Sequence, residues 1–469
     1  MTRLSLADLR ESWLAWLGVS LAFVVTNAAL ALAIIVSTSG HAAGHSRILD
    51  TDGSALLGSY AVLNLVLCAL VGLAVIGAST SLVVTSRRGA VARLLLAGTT
   101  PGQVTRLLTV QVAAVAVAGV VIGDLVALVA AQPVLDAISR DRELPHVPAA
   151  FSAGWLLLGN LGCVLLCALG GLRQARAASR IPPVEALRES TGGVTRREGP
   201  VRRALRVARV VLGAGVVVAM FPGFKAAAPH LKEDAVANLI QMAMLAIPLT
   251  GFALTALLPW IVGPVTRAWT GALPIRSAAW HLARHTVTAK SDRLVRSIIP
   301  VMFSVGLLFG MMSAGDTFIA TLRLMHKDIQ LEGTSAMSLL SLIGLSLCIA
   351  VAGAVGNLVM MSRQRSAELA LDGVVGTTPR QQLLIPVFEA LIVTLTATIL
   401  GVAMAGASGA LIAYGLGILL PQSRLSMPWG LLGWVAGSCF VVVLLATVVP
   451  VIRSLREPAP KVIARLVAA

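Results

Sequence analysis

The stretch that decides the fold is Gly376-Thr377-Thr378-Pro379, because the same four residues occur earlier as Gly98-Thr99-Thr100-Pro101. Each copy is followed by a glutamine, a pair of leucines and a long apolar run, and each follows a serine–arginine pair, Ser86-Arg87 or Ser362-Arg363. The serine lies twelve residues before the glycine in the first copy and fourteen in the second, so the repeat is imperfect. Proline fixes the backbone at a first helical position, so each copy predicts a turn that opens a helix.

Long apolar runs surround both turns. Apolar residues make up 57% of the chain and charged residues only 12%, a composition that no soluble core of this length needs. About 20 apolar residues cross a bilayer core as a helix. The runs of this kind are Trp13 to Val36, Leu56 to Thr80, Val104 to Ala131, Trp155 to Leu172, Val236 to Val262, Leu294 to Met312, Ala336 to Met361, Leu383 to Leu420 and Trp429 to Ile452. A tenth run, Ala204 to Phe221, is weaker because Arg206 and Arg209 interrupt it. The sequence therefore predicts an all-α integral membrane protein with about ten transmembrane helices.

Basic residues set the expected orientation. With ten crossings both termini lie on one side of the membrane, and the loops of that side hold 29 of the 37 Lys and Arg residues. The positive-inside rule makes that side the cytoplasm. The net charge of +16 indicates contact with anionic membrane lipids and not with nucleic acid, for which the chain has no polar domain. Arginine outnumbers lysine heavily, a bias typical of GC-rich bacterial genomes.

The repeat covers four crossings in each half. The fourth crossing is followed by arginines and prolines in both halves, and the spacing from Pro183 to Arg188 recurs from Pro460 to Arg465. Internal symmetry of this length is typical of transport proteins. We assign residues 1–190 to a first four-helix unit, 191–265 to a linker and two-helix spacer, and 266–469 to a second four-helix unit.

An amphipathic basic segment precedes the first crossing of each unit. The segments are Met1 to Ser12 and Ile275 to Arg293, the second with Trp280, Leu282 and Val287 as its apolar residues. Such segments are typical of helices that lie at a membrane surface.

Catalytic and metal-binding motifs are missing from the sequence. It has no Gly-x-x-x-x-Gly-Lys-Ser/Thr phosphate loop, and its five cysteines all fall in apolar runs, where they act as small apolar residues. The pairs His41/His45 and His281/His285 have helical metal-ligand spacing but lack a third ligand, so we interpret them as interfacial histidines. The sequence predicts no catalytic, cofactor-binding or metal-binding residue in this chain.

Polar residues inside the apolar runs are candidates for a substrate pathway. Asp124 lies about 30 Å along its crossing, which places it near the outer head groups. It is either a substrate or proton site or a residue that faces an outer aqueous vestibule. Asn27 and Asn64 are candidates for the same pathway, although asparagines in such positions, Asn160 and Asn357 included, also join helices to one another.

The segment from Ser362 to Leu384 resembles the signature of FtsX-like ABC permeases, the MacB-type superfamily. It has an arginine-rich start, then Glu368-Leu369, then Gly376-Thr377, a glutamine-rich helix start, and Glu389 in the next crossing. The first half is a degraded copy, in which Arg93 replaces the first glutamate and Gln111 the second. Two such units with a two-helix spacer are similar to the fused permeases of bacitracin-resistance and peptide-export systems.

This resemblance implies a partner and a set of contact residues. The segments Arg87 to Arg106 and Arg363 to Gln382 would be coupling helices in the clefts of a separate cytoplasmic ABC ATPase, a dimer that holds the ATP and Mg²⁺. The implied coupling residues are Arg87, Arg88, Arg93, Gly98, Thr99, Pro101, Arg363, Arg365, Glu368, Gly376, Thr377, Pro379 and Glu389.

The expected function is export of a hydrophobic or amphipathic peptide or drug-like molecule through the bacterial cytoplasmic membrane. The alternatives are mechanical signalling without net transport, and secondary transport with Asp124 as the proton site. The outer loops Ser37 to Ala55 and Ser313 to Ser335 are short, whereas permeases of this kind usually carry a large extracytoplasmic domain. This difference argues against a role that spans the periplasm or handles lipoproteins.

Overall fold

The computed structural model describes residues 13–87, 91, 94–179, 200–227, 235–289, 291–325, 336–374, 376–419 and 425–455. This part of the chain is helical and contains no β-strand, which confirms the all-α prediction. The helices are α1 (Trp13–His45), α2 (Thr51–Ser86), α3 (Pro101–Asp141), α4 (Ala153–Ser179), α5 (Pro200–Ala227), α6 (Ala235–Ala272), α7 (Ala278–Ala289), α8 (Ser291–Met325), α9 (Ala336–Val374), α10 (Pro379–Leu419) and α11 (Trp429–Leu455).

Most of these helices are long and apolar enough to span a bilayer. By length and composition, nine in the described ranges qualify: α1 to α4, α6, and α8 to α11. Helix α5 has a shorter apolar part, Val210–Ala226. Seventeen residues is the lower limit for a crossing, because the hydrocarbon core is about 30 Å thick. The fold therefore has nine clear spans and one marginal span, in agreement with about ten helices.

The two halves of the chain pack their helices in the same pattern. In the first half, α1 packs against α2 and α3, and α4 closes the bundle against α3 and α2. In the second half, α8 packs against α9 and α10, and α11 closes the bundle against α10 and α9. The repeat seen in the sequence is therefore a repeat of helix packing.

The two bundles meet where α9 packs against α1 and α2. Gly18 of α1 lies directly against Gly356 of α9: a Cβ built on Gly18 would lie 2.8 Å from the carbonyl carbon of Gly356, and the reverse distance is 3.0 Å. Asn357 accepts a hydrogen bond from Ser79 of α2 (2.8 Å) and donates one to the carbonyl of Arg296 in α8 (3.1 Å). Small residues and an amide thus bring the bundles into backbone contact, as in many membrane proteins.

The spacer helices pack mainly against the second bundle. Helices α5 and α6 pack against each other, α6 packs against α8 and α10, and α5 touches α10. Helix α6 also contacts α2 of the first bundle. The spacer therefore makes the two halves unequal, although their internal packing is the same.

Helix α7 is the short helix predicted before the first crossing of the second unit. Its Trp280 is buried, with its ring centroid 5.5 Å from that of Phe388 in α10 and 6.3 Å from that of Trp269 in α6. Ala283 shares the buried face of Trp280, whereas Leu282 is exposed, because a 3.6-residue period places Leu282 on a different face of the helix. The corresponding segment Met1 to Ser12 lies outside the described residues.

Candidate functional site

The turns at Gly98 and Gly376 have the same backbone geometry. Their φ angles are +92° and +107°, in the left-handed region that glycine enters without a steric penalty. The Gly98 amide donates to the carbonyl of Leu95 (3.1 Å), and the Gly376 amide donates to that of Gly373 (3.2 Å). Each turn therefore ends a helical segment in the way typical of a glycine C-cap.

The next helix begins with a capping box in both copies. The Thr100 hydroxyl accepts from the Gln103 amide (3.4 Å), and the Gln103 side chain accepts from the Thr100 amide (3.0 Å). Thr378 and Gln381 form the same pair, at 3.4 and 2.9 Å. Each box satisfies two amides that a helix start leaves unpaired, so the direction of α3 and α10 is fixed at the turn itself.

The prolines and the first threonines of the two turns also have matching places. Pro101 and Pro379 begin α3 and α10. The Thr99 hydroxyl donates to a carbonyl five residues earlier (2.6 Å), and the Thr377 hydroxyl accepts from the Gln382 side chain (3.1 Å). Both turns join the second and third helices of a bundle, and they lie at the same end of their respective bundles.

The second turn follows a helix that continues beyond its apolar span. The apolar span of α9 ends at Met361, but the helix runs on to Val374, about 20 Å further. Three predicted coupling residues lie on this extension, with side chains outside the described part: Arg363, Arg365 and Glu368. In the first copy α2 ends at Ser86, and two other predicted residues lie outside the described ranges, namely Arg88 and Arg93.

Arg87, which directly follows α2, links the first turn region to α1 and α3. Its guanidinium donates to the Gln111 side chain in α3 (2.7 Å) and lies over the Trp16 ring of α1, 5.6 Å from the ring centroid. Both Arg87 and Gln111 are buried. An arginine held by hydrogen bonding and cation–π contact is fixed in orientation, so Arg87 joins three helices of the first bundle.

Glu389 occupies the place of Gln111 in the second bundle. Each residue follows its turn glycine by thirteen positions, and Glu389 is also buried, with 7% of its surface exposed. The residue equivalent to Arg87 is Arg363, which follows the second serine of the repeat. The two bundles thus place a carboxamide and a carboxyl group at one structural position.

The comparison with known families matches both bundles. A family model of the FtsX-like permease C-terminal domain matches residues 62–183 and 340–459, just over half of the chain. The chain belongs to the FtsX-like permease family. Each matched region covers most of the second helix of a bundle, all of the third and fourth helices and one of the two turns. No curated protein matches the sequence significantly.

In this permease, Asp124 lies in a polar cluster between three helices of the first bundle. Its carboxylate accepts from the Asn27 side chain of α1 (2.8 Å) and from the Asn160 side chain of α4 (2.6 Å). Asn27 also donates to the carbonyl of Val120 (3.1 Å). Exposed apolar residues continue along α3 as far as Val129, so the cluster lies within the apolar band. The carboxylate joins α1, α3 and α4.

Asn64, the other candidate for the pathway of the permease, lies apart on α2. Its amide group donates to the carbonyl of Tyr60 one turn earlier (3.2 Å). Its side-chain oxygen is buried and has no hydrogen-bond partner among the described residues. The structure therefore brings Asn27 and Asp124 together and shows no hydrogen bond from Asn64 to them in the described part of the chain.

Two parts of this arrangement were not predicted from the permease sequence. The Thr-Pro-x-Gln pattern that begins both α3 and α10 is a capping-box signal, and it was available in the sequence. The partnership of Asn160 with Asp124 had no comparable signal, because residues 36 positions apart on different helices have no fixed spacing.

Proposed function

We propose that this chain is the membrane subunit of an ABC transporter and that it exports a hydrophobic or amphipathic peptide or drug-like molecule. A separate cytoplasmic ABC ATPase dimer supplies the energy and binds the ATP and Mg²⁺, so this subunit is itself not catalytic. The observation that carries the proposal is the pair of capped turns. A dimeric ATPase presents two equivalent clefts, and two turns of equal geometry suit such a partner.

The contacts around the turns support this role in force transmission. A capping box holds each turn to the helix that follows it, and Arg87 holds the first turn region to α1 and α3. Exposed loops usually carry few such constraints. Motion of a turn would therefore move the long helices α3 and α10.

The polar groups of the first bundle support an amphipathic cargo. The Asp124 carboxylate and the buried Asn64 oxygen are hydrogen-bond acceptors in otherwise apolar surroundings. Burying a polar group there costs free energy unless the group is hydrogen-bonded, so such groups in membrane spans usually have a function. We propose that Asp124, Asn27 and Asn64 line the pathway of the cargo. An amine or amide of the cargo would be the matching donor.

Co-expression tests the partnership directly. An ABC ATPase encoded beside this chain should co-purify with it, and its ATP hydrolysis should rise in the presence of the permease. Vesicles that hold both subunits should then release cargo on the far side in the presence of ATP. ATP-dependent binding without release would favour signalling, and release driven by a proton gradient without the ATPase would favour secondary transport.

The proposed orientation places both termini and both turns in the cytoplasm of a bacterial cell. In a variant whose five native cysteines are replaced, a cysteine at Gly44 or Ser335 should react with an impermeant thiol reagent in intact cells. A cysteine at Gly193 should not react, because the Arg-rich segments around it favour the cytoplasm. Labelling at Gly193 would reverse the orientation. The same experiment tests whether α5 crosses the membrane in the proposed spacer 191–265 between the units 1–190 and 266–469, because without that crossing Ser335 would lie on the same side as Gly193.

The second bundle should carry more of the coupling than the first. Replacing Glu368 or Glu389 should lower ATPase stimulation more than replacing Arg93 or Gln111, since the first copy has lost the two acidic residues that the second copy keeps. The most direct test compares Glu389→Gln with Gln111→Glu. Each variant places in one bundle the residue type that the other bundle has at the equivalent position. We expect a several-fold loss of stimulated hydrolysis for Glu389→Gln. Equal losses for Glu389→Ala and Gln111→Ala would contradict the asymmetry.

A further inference from the structure

A groove of about 490 Å³ lies between α3 and α4 at the end of the bundle that carries the turns. It begins at the N-terminal turn of α3 and is lined by Thr105, Arg106, Thr109 and Val110 of α3 and by Leu172 and Arg176 of α4. Next to the groove the two helices are in close contact, because a Cβ on Gly171 would lie 2.7 Å from a methyl carbon of Val112. The groove is therefore closed on its inner side.

The polar part of the groove suits a phosphate group. Arg106 and Arg176 are both exposed on its walls. Among the described residues that line the groove, none has an acidic side chain. The start of α3 adds the partial positive charge of a helix N-terminus. A guanidinium donates two parallel hydrogen bonds to phosphate oxygens, which a single ammonium group does not do.

The apolar part of the groove distinguishes a lipid from a soluble phosphate. Directly above the arginines, Val110 is exposed on α3, and further exposed apolar residues follow at Val117 on the same helix and at Leu169 and Leu165 on α4. The arginines thus lie where the lipid-facing apolar surface ends, at the level of lipid head groups. A phospholipid with its phosphate between the arginines would lay its acyl chains along this surface.

We propose that the groove binds one anionic phospholipid, with its phosphate held by Arg106 and Arg176 and its acyl chains along α3 and α4. Basic pockets between transmembrane helices commonly bind anionic head groups. The second bundle lacks one of the two arginines, because Leu384 stands at the position of Arg106, eight residues after the turn glycine. The site is independent of the proposed transport function.

Lipid binding to the full-length chain in neutral detergent tests the proposal. Native mass spectrometry would compare the first bound phosphatidylglycerol with the first bound phosphatidylcholine in the wild type and in Arg106→Leu, Arg176→Leu and the double variant. Arg106→Leu introduces the residue type that the second bundle has at this position, Leu384. We expect a loss of phosphatidylglycerol affinity of about fivefold for each arginine and about 25-fold for both. Phosphatidylcholine binding should not change.

Arg380→Leu is the matched control, because Arg380 is an exposed arginine in the first turn of α10 and lies outside the groove. Its phosphatidylglycerol affinity should stay within about twofold of the wild type. An equal loss for Arg380→Leu would show that only the overall positive charge matters, and would overturn the proposal. So would equal binding of the two lipids, or displacement of phosphatidylglycerol by an equal concentration of glycerol 3-phosphate. Because all three arginines are exposed, gel filtration and circular dichroism of the variants should match the wild type.

Discussion

Replacing Gly356 with valine is expected to disrupt the packing of the two bundles. The backbones of Gly18 and Gly356 touch, so a side chain at either position must push α1 and α9 apart. Overpacking of a well-packed interior costs about 1–3 kcal/mol, and more where backbone must move. We expect the upper end of this range or beyond. The melting temperature in detergent, followed by gel filtration after heating, should fall by several degrees or more, and Gly356→Ala should show a smaller fall.

Gly77→Val is the matched control for this prediction. Gly77 lies within the membrane span of α2, but no atom outside its own helix lies within 4 Å of a Cβ built there. A substitution with free space around it is expected to change stability by about 0.5 kcal/mol or less. If Gly356→Val and Gly77→Val melt at the same temperature, the contact between α1 and α9 does not hold the bundles together.

The double variant Gly376→Val/Pro379→Gly is expected to abolish coupling without preventing membrane insertion. Valine at a φ of +107° is strongly disfavoured, and glycine at the first position of α10 removes the restraint that proline supplies. The turn would lose its fixed angle, while the residues that span the membrane stay unchanged. In one reconstituted preparation, ATPase binding should persist, whereas cargo-dependent hydrolysis and export should fall together by about tenfold or more, as expected for about 1.4 kcal/mol of lost coupling.

Gly417→Val separates this effect from a general effect of valine on α10. Gly417 is exposed near the far end of the same helix, and a Cβ there meets nothing within 4 Å. This variant should export normally. Normal export by the Gly376→Val/Pro379→Gly protein would show that the turn is an ordinary surface loop and would remove the coupling role from both turns. Loss of ATPase binding in that protein would instead make the turn a docking element.

The sequence predicts the fold well because bilayer-spanning helices and their connections have strong local signals. Runs of about 20 apolar residues identify the spans, and the repeated Gly-Thr-Thr-Pro identifies the two turns at Gly98 and Gly376. The marginal case is α5, where Arg206 and Arg209 shorten the apolar part of a 28-residue helix. The local sequence is sufficient to predict a helix and its ends wherever these are determined by residues that are close in the chain.

The sequence does not predict which helices touch. Gly18 and Gly356 are two of 43 glycines, and nothing local marks them as a pair. The sequence places a coupling helix at Arg363 to Gln382, but it does not predict that α9 continues into this segment without a break as far as Val374. The Asp124 cluster depends on side chains from α1, α3 and α4 that only the packed bundle brings together.

The contact at Gly356 divides α9 into two arms of similar length. About 27 Å of helix lies between Gly356 and the end at Val374, and about 30 Å between Gly356 and the start at Ala336. Helix α9 contains no proline, and its backbone contact with α1 at Gly356 lies near its middle, so a rigid tilt of α9 about that contact would move its two ends in opposite directions. Tilting the end that carries the second turn therefore swings the opposite end by nearly the same distance in the reverse direction, with little gain or loss of amplitude across the membrane.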